Sequence, residues 1–324
     1  MPQPVVNITM PVFNRFVLTQ RALLALRKSG GSVPFSITVV DNGSDDALVS
    51  RLRELHRAGI IDKLFLLPEN MGISCACNIG WSMTDAPVYL KLDNDILVQD
   101  PAWLEKLFRL WRHGQPLSTL GPAWTEGQWQ SGDGVLSTPD GELGICVTNL
   151  QGSALFIPKA VSDLLGYWSE DYGLYGAEDG DYGLRMNCAG FHQYYYRPDG
   201  LLHDMGREEK PEDVDYALNR RDEYRELFID KQGGVGMFRL NHYLYNYCIR
   251  NWKAPLRYAV ADVDDTCRVS LREREEYAPV RQALDLCKAH VDKLLASDDP
   301  GAIFHPEFIE SLKDIMRECG QAAG

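Results

Sequence analysis

Apolar positions in the first hundred residues alternate between two spacings. Val5 to Met10 reads as a strand, Phe16 to Lys28 as a helix and Phe35 to Val40 as a second strand. Leu48, Leu52 and Leu55 mark one face of a second helix. Lys63 to Leu67 is a third strand, Ser74 to Met83 is helical, and Val88, Leu90 and Leu92 form a fourth buried strand. Repeated strand–helix alternation predicts a parallel sheet covered by helices on both faces. The pattern breaks between Gly114 and Gly144, where Gly, Trp and Pro predict a loop-rich wall or lid. A strand from Ile145 to Ile157, an acidic helix start near Glu178 and an aromatic strand from Phe191 to Tyr196 follow. Beyond Gly236 the period becomes helical. Val280, Leu284, Cys287, Val291 and Leu294 form one stripe, and Phe308, Leu312, Ile315 and Cys319 another, separated by Asp298-Asp299-Pro300-Gly301. The pattern thus predicts an α/β main domain over 1–235 and a helical C-terminal appendage over 236–324. The appendage stripes pack most simply on the main domain or on each other; a homodimer through these helices is the other reading.

The fourth strand runs straight into Asp93-Asn94-Asp95, and Asp100-Pro101 beyond it reads as a helix start. Open α/β sheets bind ligands where their strands end. Two carboxylates on one short turn can hold a hard divalent cation that keeps positions open for phosphate oxygens. Taken alone, the same residues also describe a solvated acidic turn.

Composition narrows the choice. The chain has 324 residues, 45% of them hydrophobic, enough for a large core. Its 33 basic and 46 acidic residues give a formal charge of −13, which argues against a nucleic-acid or anionic-membrane surface. Residues 236–324 carry 12 Lys/Arg and 14 Asp/Glu, so most of the negative excess lies upstream. The eight cysteines are scattered; Cys75 and Cys77 have no partner pair, so they read as small packing residues and not as a zinc site. No signal segment and no membrane-spanning run is evident, and the expectation is a cytoplasmic, soluble protein.

Four elements stand in order at strand ends: Met10-Pro11-Val12-Phe13-Asn14-Arg15; Val39-Val40-Asp41-Asn42-Gly43-Ser44-Asp45-Asp46; Asn70-Met71-Gly72 through Cys77-Asn78-Ile79-Gly80; and Asp93-Asn94-Asp95. Downstream come Gly176-Ala177-Glu178-Asp179-Gly180-Asp181, Ala189-Gly190-Phe191 and Leu202-His203. As an ordered set over roughly residues 4–205, these resemble the family 2 glycosyltransferases. The resemblance implies the GT-A fold: a Rossmann-like mixed, mainly parallel sheet flanked by helices. It also implies a donor half over about 1–100 and an acceptor half over about 101–235.

The resemblance further implies a transferase that moves a sugar from a nucleotide-diphospho-sugar, with UDP the commonest donor base, to a glycan, lipid-linked or protein acceptor. It casts Pro11, Asn14, Arg15, Asp41, Asn70, Gly72, Asn78 and Asp93 as nucleotide-binding residues. Asp95 is then the direct metal ligand, Asp93 is shared between ribose and metal, and His203 also approaches the metal, which would be Mn²⁺ or Mg²⁺. Asp179 would be the general base and Glu178 would orient the acceptor, giving direct displacement with inversion. Each residue also has a local reading. Asp41 is a turn-former ahead of Asn42-Gly43, Asn14 and Arg15 cap a loop, Asn78 packs or caps, and acids favour a helix N-terminus as at Glu178, Asp179 and Asp181. Relatives often carry Arg where this chain has Cys77, which removes one contact to the nucleotide. Tyr167, Trp168, Tyr172, Tyr175, Trp124 and Trp129 are candidates for stacking on a sugar or for core packing. Asp262-Val263-Asp264-Asp265 reads as a solvated face. The competing readings are a sugar nucleotidyltransferase, disfavoured because no Gly-rich Arg loop follows the first strand, a retaining transferase, and a non-catalytic scaffold of the same fold.

Overall fold

Val6–Val12 forms β1, and all of its residues are buried because helices cover both faces of the sheet it belongs to. A computed structural model describes residues 5–29, 31–208 and 236–321. The first hundred residues continue as α1 (Phe16–Lys28), β2 (Phe35–Asp41), α2 (Asp46–Arg57), β3 (Lys63–Leu66), α3 (Ile73–Ser82) and β4 (Val88–Leu92). Here the period-based expectations agree with the structure to within a residue or two. Leu18, Ala22, Leu23 and Leu26 supply the buried face of α1, and Asp45 caps α2 by accepting from the Leu48 N–H at 2.8 Å.

The chain then builds β5 (Ile96–Val98), α4 (Trp103–His113), β6 (Ser118–Pro122), α5 (Glu126–Gln130), β7 (Val135–Thr138), β8 (Gly141–Cys146), β9 (Ala154–Pro158), α6 (Lys159–Leu165), α7 (Glu178–Cys188), β10 (His192–Tyr196) and β11 (Leu202–Asp204). One mixed sheet of nine strands results, in the order β3-β2-β1-β4-β9-β6-β10-β8-β7. The strands β3, β2, β1 and β4 run parallel, and β9 lies antiparallel to β4. The short β5 leaves the main sheet and pairs with β11.

Three expectations need correction. Residues 114–144 are not a loop-rich insert: they contain β6, which lies inside the sheet between β9 and β10. Its five residues are too few to show a period, and Gly121 is needed because a Cβ there would lie 2.9 Å from the Leu150 side chain. The strand expected over Ile145 to Ile157 is two strands, β8 and β9, separated in the sheet by β6 and β10; the polar stretch Thr148-Asn149-Leu150-Gln151-Gly152 carries the chain between them. Asp100 lies before α4 and caps its entry by accepting from the Ala102 N–H, while the helix itself begins at Trp103.

The C-terminal region is helical over 236–246, Tyr277–Leu295 and Pro306–Glu318, and the Leu284, Cys287 and Val291 stripe meets Leu312 and Met316. It also holds a β-hairpin, β12 (Tyr258–Val263) with β13 (Val269–Glu273), which the helical expectation missed. Asp264 shapes the turn by accepting from Thr266 and Arg268, and the Leu66 N–H of β3 donates to the Cys267 carbonyl at 2.8 Å. No helix among the described residues is long and apolar enough to cross a membrane.

Candidate active site

The ends of β1, β2 and β4 open onto one cleft, lined by Pro11, Arg15, Asn42, Asn70, Asp93 and Asp95 among others. The parallel strands bring it about: their C-terminal ends lie together at one edge of the sheet. Asn14 and Arg15 both adopt left-handed backbone, with φ of 56° and 60°, and this sharp turn starts α1. The Asn14 N–H donates to Ser44 Oγ at 2.8 Å, joining the ends of β1 and β2. Asn42 and Asn70 form a rim: Asn42 Nδ2 donates to Asn70 Oδ1, which also receives the Gly72 N–H, and Asn42 Oδ1 receives the Met71 N–H. Gly72 has φ of 92°, and a Cβ would stand 2.6 Å from the Gly173 carbonyl oxygen, so only glycine fits.

The two acids of the β4–β5 turn are each held by a cation. Arg15 Nη1 donates to Asp95 Oδ2 at 2.8 Å. Lys91 Nζ donates to Asp93 Oδ1 at 2.7 Å. Between them Asn94 is buried and donates to Thr19 Oγ1 of α1, which pins the turn. Burial pushes Asp93 up to about 6, against the pull of Lys91 and with a further push from Asp95. Gly206 closes over the Arg15–Asp95 pair, since a Cβ there would collide with Asp95 Oδ2.

Asp41 is fully buried at the end of β2. Its Oδ2 accepts from the Ser44 N–H, while Oδ1 meets no donor among the described residues. Burial pushes this carboxyl up to about 6.

Glu178 and Asp179 open α7 immediately after Gly176 (φ 98°) and Ala177 (φ 69°), two successive left-handed residues. Below them Asp181 and Arg185 form a fully buried ion pair at 2.7 Å, and Arg185 also donates to the carbonyls of Leu165 and Tyr167. The helix start is thereby fixed in position. Asp179 accepts from the Gly180 N–H at 2.7 Å and the Gly152 N–H at 3.3 Å. Glu178 is buried and its Oε2 meets no donor among the described residues; burial pushes it up to about 7, with Asp179 adding to the shift and Lys91 opposing it.

Two expected residues lie elsewhere. Asn78 does not face the cleft: its amide donates to the Trp168 carbonyl and Glu170 Oε1 and accepts from the Trp168 N–H, so it is an internal brace with 1% exposure. His203 lies beside Glu208, its Nε2 3.1 Å from Oε1. In β11 the side chains alternate, and Asp204, not His203, is the residue whose carboxyl Asp95 raises, after burial. Of the aromatic candidates, Trp168, Tyr172 and Trp129 are buried in the core, Tyr175 lines the cleft, and Trp124 donates to Ser153 Oγ. Cys77 is buried with its thiol pushed up to about 12 by desolvation, so that position also faces the core.

The sequence reading missed Lys91, Gly152, Asp204 and Gly206. Lys91 had a visible signal: a lysine in the middle of an otherwise apolar strand. The other three had none, because the chain brings them in from distant positions.

A mixed, mainly parallel nine-stranded sheet flanked by helices matches a GT-A type of fold. Residues 7–128 match the glycosyl transferase family 2 model, a span that ends before Glu178. Over that span the chain is similar to the family 2 glycosyltransferases, which supports a glycosyltransferase. Among solved structures it resembles the mannosyltransferase PcManGT from Pyrobaculum calidifontis in complex with GDP-Man and Mn²⁺, with TM-score 0.51 and 15% identity over 98% of this chain and 86% of that one. At that identity the likeness speaks for the fold. TarS from S. aureus matches with TM-score 0.48 and 12% identity over 97% of this chain and 53% of that one. No curated protein matches the chain.

Proposed function

We propose that the protein transfers a sugar from a nucleotide-diphospho-sugar to a hydroxyl acceptor with inversion, using a divalent cation and Asp179 as general base. The observation that carries this reading is the meeting of two acid pairs at one end of the sheet. Asp93 and Asp95 line the cleft of β1, β2 and β4, and Asp179 is linked to Asp93 through Gly152 and Lys91.

Among the described residues no group of three or more His, Cys, Asp or Glu is arranged to hold a metal ion. Two carboxylates suffice for a cation that also takes oxygens from a diphosphate. Asp93 and Asp95 fit that demand. Lys91 and Arg15 occupy one oxygen of each, and the second oxygen of each acid accepts from no donor among the described residues. A bound Mn²⁺ or Mg²⁺ would supply charge neutralisation for a departing nucleoside diphosphate. A part for His203 would require it to leave Glu208. The fold relative solved with GDP-Man and Mn²⁺ supports this donor class.

The chain's own residues then divide the work. Asp41 Oδ1, which meets no donor among the described residues, would accept from a base N–H or ribose hydroxyl, and Arg15, which lines the cleft, would face the diphosphate. Asp179 removes the proton from the acceptor hydroxyl as its oxygen bonds to the anomeric carbon. The bond from that carbon to the diphosphate oxygen breaks, and the electron pair leaves with the nucleoside diphosphate. Glu178, whose Oε2 has no partner among the described residues, orients the acceptor. A glycan, a lipid-linked sugar or a protein side chain would each provide such a hydroxyl.

A thermal-shift panel of UDP- and GDP-sugars with Mn²⁺ tests the reading. One nucleotide-sugar is expected to raise Tm by several degrees, with the shift abolished by EDTA. Absence of a shift with every member, at saturating concentration, would count against it. Inversion is checked by the anomeric configuration of the product in NMR.

A further inference from the structure

Lys91 is buried, its side chain only 3% exposed, in the middle of β4, where a charge is costly unless it is matched. Its ammonium donates to two groups that belong to different halves of the site. One is Asp93 Oδ1, at 2.7 Å, beside the donor cleft. The other is the carbonyl of Gly152, in the loop between β8 and β9. The N–H of that same residue donates to Asp179 Oδ2 at 3.3 Å. Gly152 lies wedged between the two side chains: a Cβ there would stand 3.3 Å from Lys91 Nζ, 3.4 Å from the Asp179 Cβ and 3.7 Å from the Trp168 ring. The Trp168 ring lies 5.9 Å from the ammonium and closes off its remaining side.

From this geometry we infer that Lys91 is a positioning residue, which through the Gly152 peptide holds Asp179 at a fixed place relative to Asp93. The inference rests on the transferase reading with Asp179 as base. Asp93 bonds this ammonium directly, and the charge of Glu178 also acts on it. The ammonium works beside the backbone bond from the Asp93 N–H to the Ser153 carbonyl, which joins the same two segments at 2.8 Å. Bond making at the acceptor oxygen and bond breaking at the diphosphate oxygen must be aligned to within a fraction of an ångström. A single buried cation bonded to both sides supplies that alignment.

The test uses the full chain with Mn²⁺ and either UDP-glucose or GDP-mannose, whichever turns over faster, with water as acceptor and nucleoside diphosphate release as signal. Calorimetry with UDP or GDP and Mn²⁺ measures donor-side binding separately. Lys91→Met is expected to lower kcat at least 100-fold, while nucleoside diphosphate Kd, which the loss of the Asp93 partner also touches, rises by a much smaller factor. Lys91→Met/Asp179→Asn is expected to be no slower than Asp179→Asn, because a residue that acts only through Asp179 loses its effect once Asp179 is gone. Multiplicative losses in the double variant would overturn the inference, as would a Kd that rises in step with the fall in kcat. Gly152→Ala keeps the ammonium and the peptide, and its Cβ, 3.3 Å from Lys91 Nζ and 3.4 Å from the Asp179 Cβ, pushes the two side chains apart by a few tenths of an ångström. It is expected to lower kcat about tenfold or more, and normal turnover in it refutes the link even where Lys91→Met does not fold. The two readings fail separately. Full turnover in Asp179→Asn sinks the base assignment, whereas loss there with normal turnover in Lys91→Met sinks only the role of Lys91.

Discussion

The two acid pairs of the site are held in opposite ways. On the donor side Asp93 and Asp95 each face a cation, Lys91 and Arg15, at 2.7 and 2.8 Å. On the acceptor side neither Glu178 nor Asp179 makes an ion pair among the described residues. Asp179 is held by backbone N–H groups, and Glu178 keeps an oxygen without a donor. A facing cation favours the charged form, which suits an acid that holds a ligand in place, although at Asp93 burial outweighs Lys91 and raises the carboxyl to about 6. A carboxylate held by amides alone keeps its orientation and can still receive a proton, which suits a base. The contrast assigns charge balance to one side and proton transfer to the other.

The largest test of this division is Asp179→Asn. The amide keeps the shape and can still accept the Gly152 N–H, so the loop stays in place. Nucleoside diphosphate release is expected to fall about 10³-fold, within the range for loss of a general base, with Kd for UDP or GDP plus Mn²⁺ unchanged within about threefold. A variant that loses nucleotide binding instead would merge the two sides and break the comparison.

A second difference is what each side is built on. The donor side rests on the sheet, whereas the acceptor side leans on the C-terminal region. The loop over 169–176, which supplies Leu174 and Tyr175 to the cleft, is clamped by Asp171. Asp171 accepts from Arg250 Nη1 at 2.8 Å and from the Tyr277 hydroxyl at 2.6 Å, with 3% of its side chain exposed. Burial alone would raise this carboxyl, but Arg250 and Tyr277 hold it well below the usual range. Its contribution is present above the unfolded carboxylate pKa of about 3.9 and is lost as pH falls below that. Arg250→Met leaves a buried carboxylate without its cation and is expected to cost about 3–5 kcal/mol at neutral pH. Urea unfolding at pH 7 measures it, and a cost below about 1 kcal/mol would show that the clamp carries little.

The same contrast explains what was legible in the sequence. The donor side is made from consecutive strand–helix units, so period alone located β1 to β4, and Asp93 and Asp95 stood out as acids at a strand end. Asn78 was cast as a cleft residue by the resemblance of the element Asn70 to Gly80, with packing or capping as its other reading. Its partners, the Trp168 carbonyl and Glu170, are about ninety residues away and carry no local signal. Lys91 drew no reading at all, since its partner Gly152 lies in a loop whose very existence was hidden in the expected strand over 145–157. For His203 and Asp204 the alternation of a three-residue strand decides which side chain meets Asp95, and no periodicity can be read from three residues. Long-range closure, and not local propensity, is what the sequence withheld.

Glu178 sharpens the comparison through pH. Burial raises it from 4.5 to about 7, so the folded chain holds a proton that the unfolded chain releases between those values. Stability attributable to this group is therefore greatest below about 4.5 and falls as pH rises towards 7. Glu178→Gln lacks this loss. Relative to wild type it is expected to gain roughly 2 kcal/mol on going from pH 5 to pH 8, read from urea midpoints. Equal pH dependence in both proteins would mean that burial does not hold a proton on this carboxyl.

The smallest expected effect bears on the donor side itself. Asp95→Asn keeps the size of the side chain and an oxygen for Arg15, but removes a negative charge from the cleft. If Asp95 serves a cation, its loss should appear only when the cation is present. Binding of UDP or GDP with Mn²⁺ is expected to weaken about tenfold, whereas binding in EDTA should change little, or tighten slightly because an acid no longer faces the diphosphate. Calorimetry in the two buffers separates these outcomes. Equal weakening in both would make Asp95 a support for Arg15 and not a cation ligand. The donor side would then be a pair of ion-paired carboxylates that shape the cleft, with Arg15 as the cation lining it among the described residues.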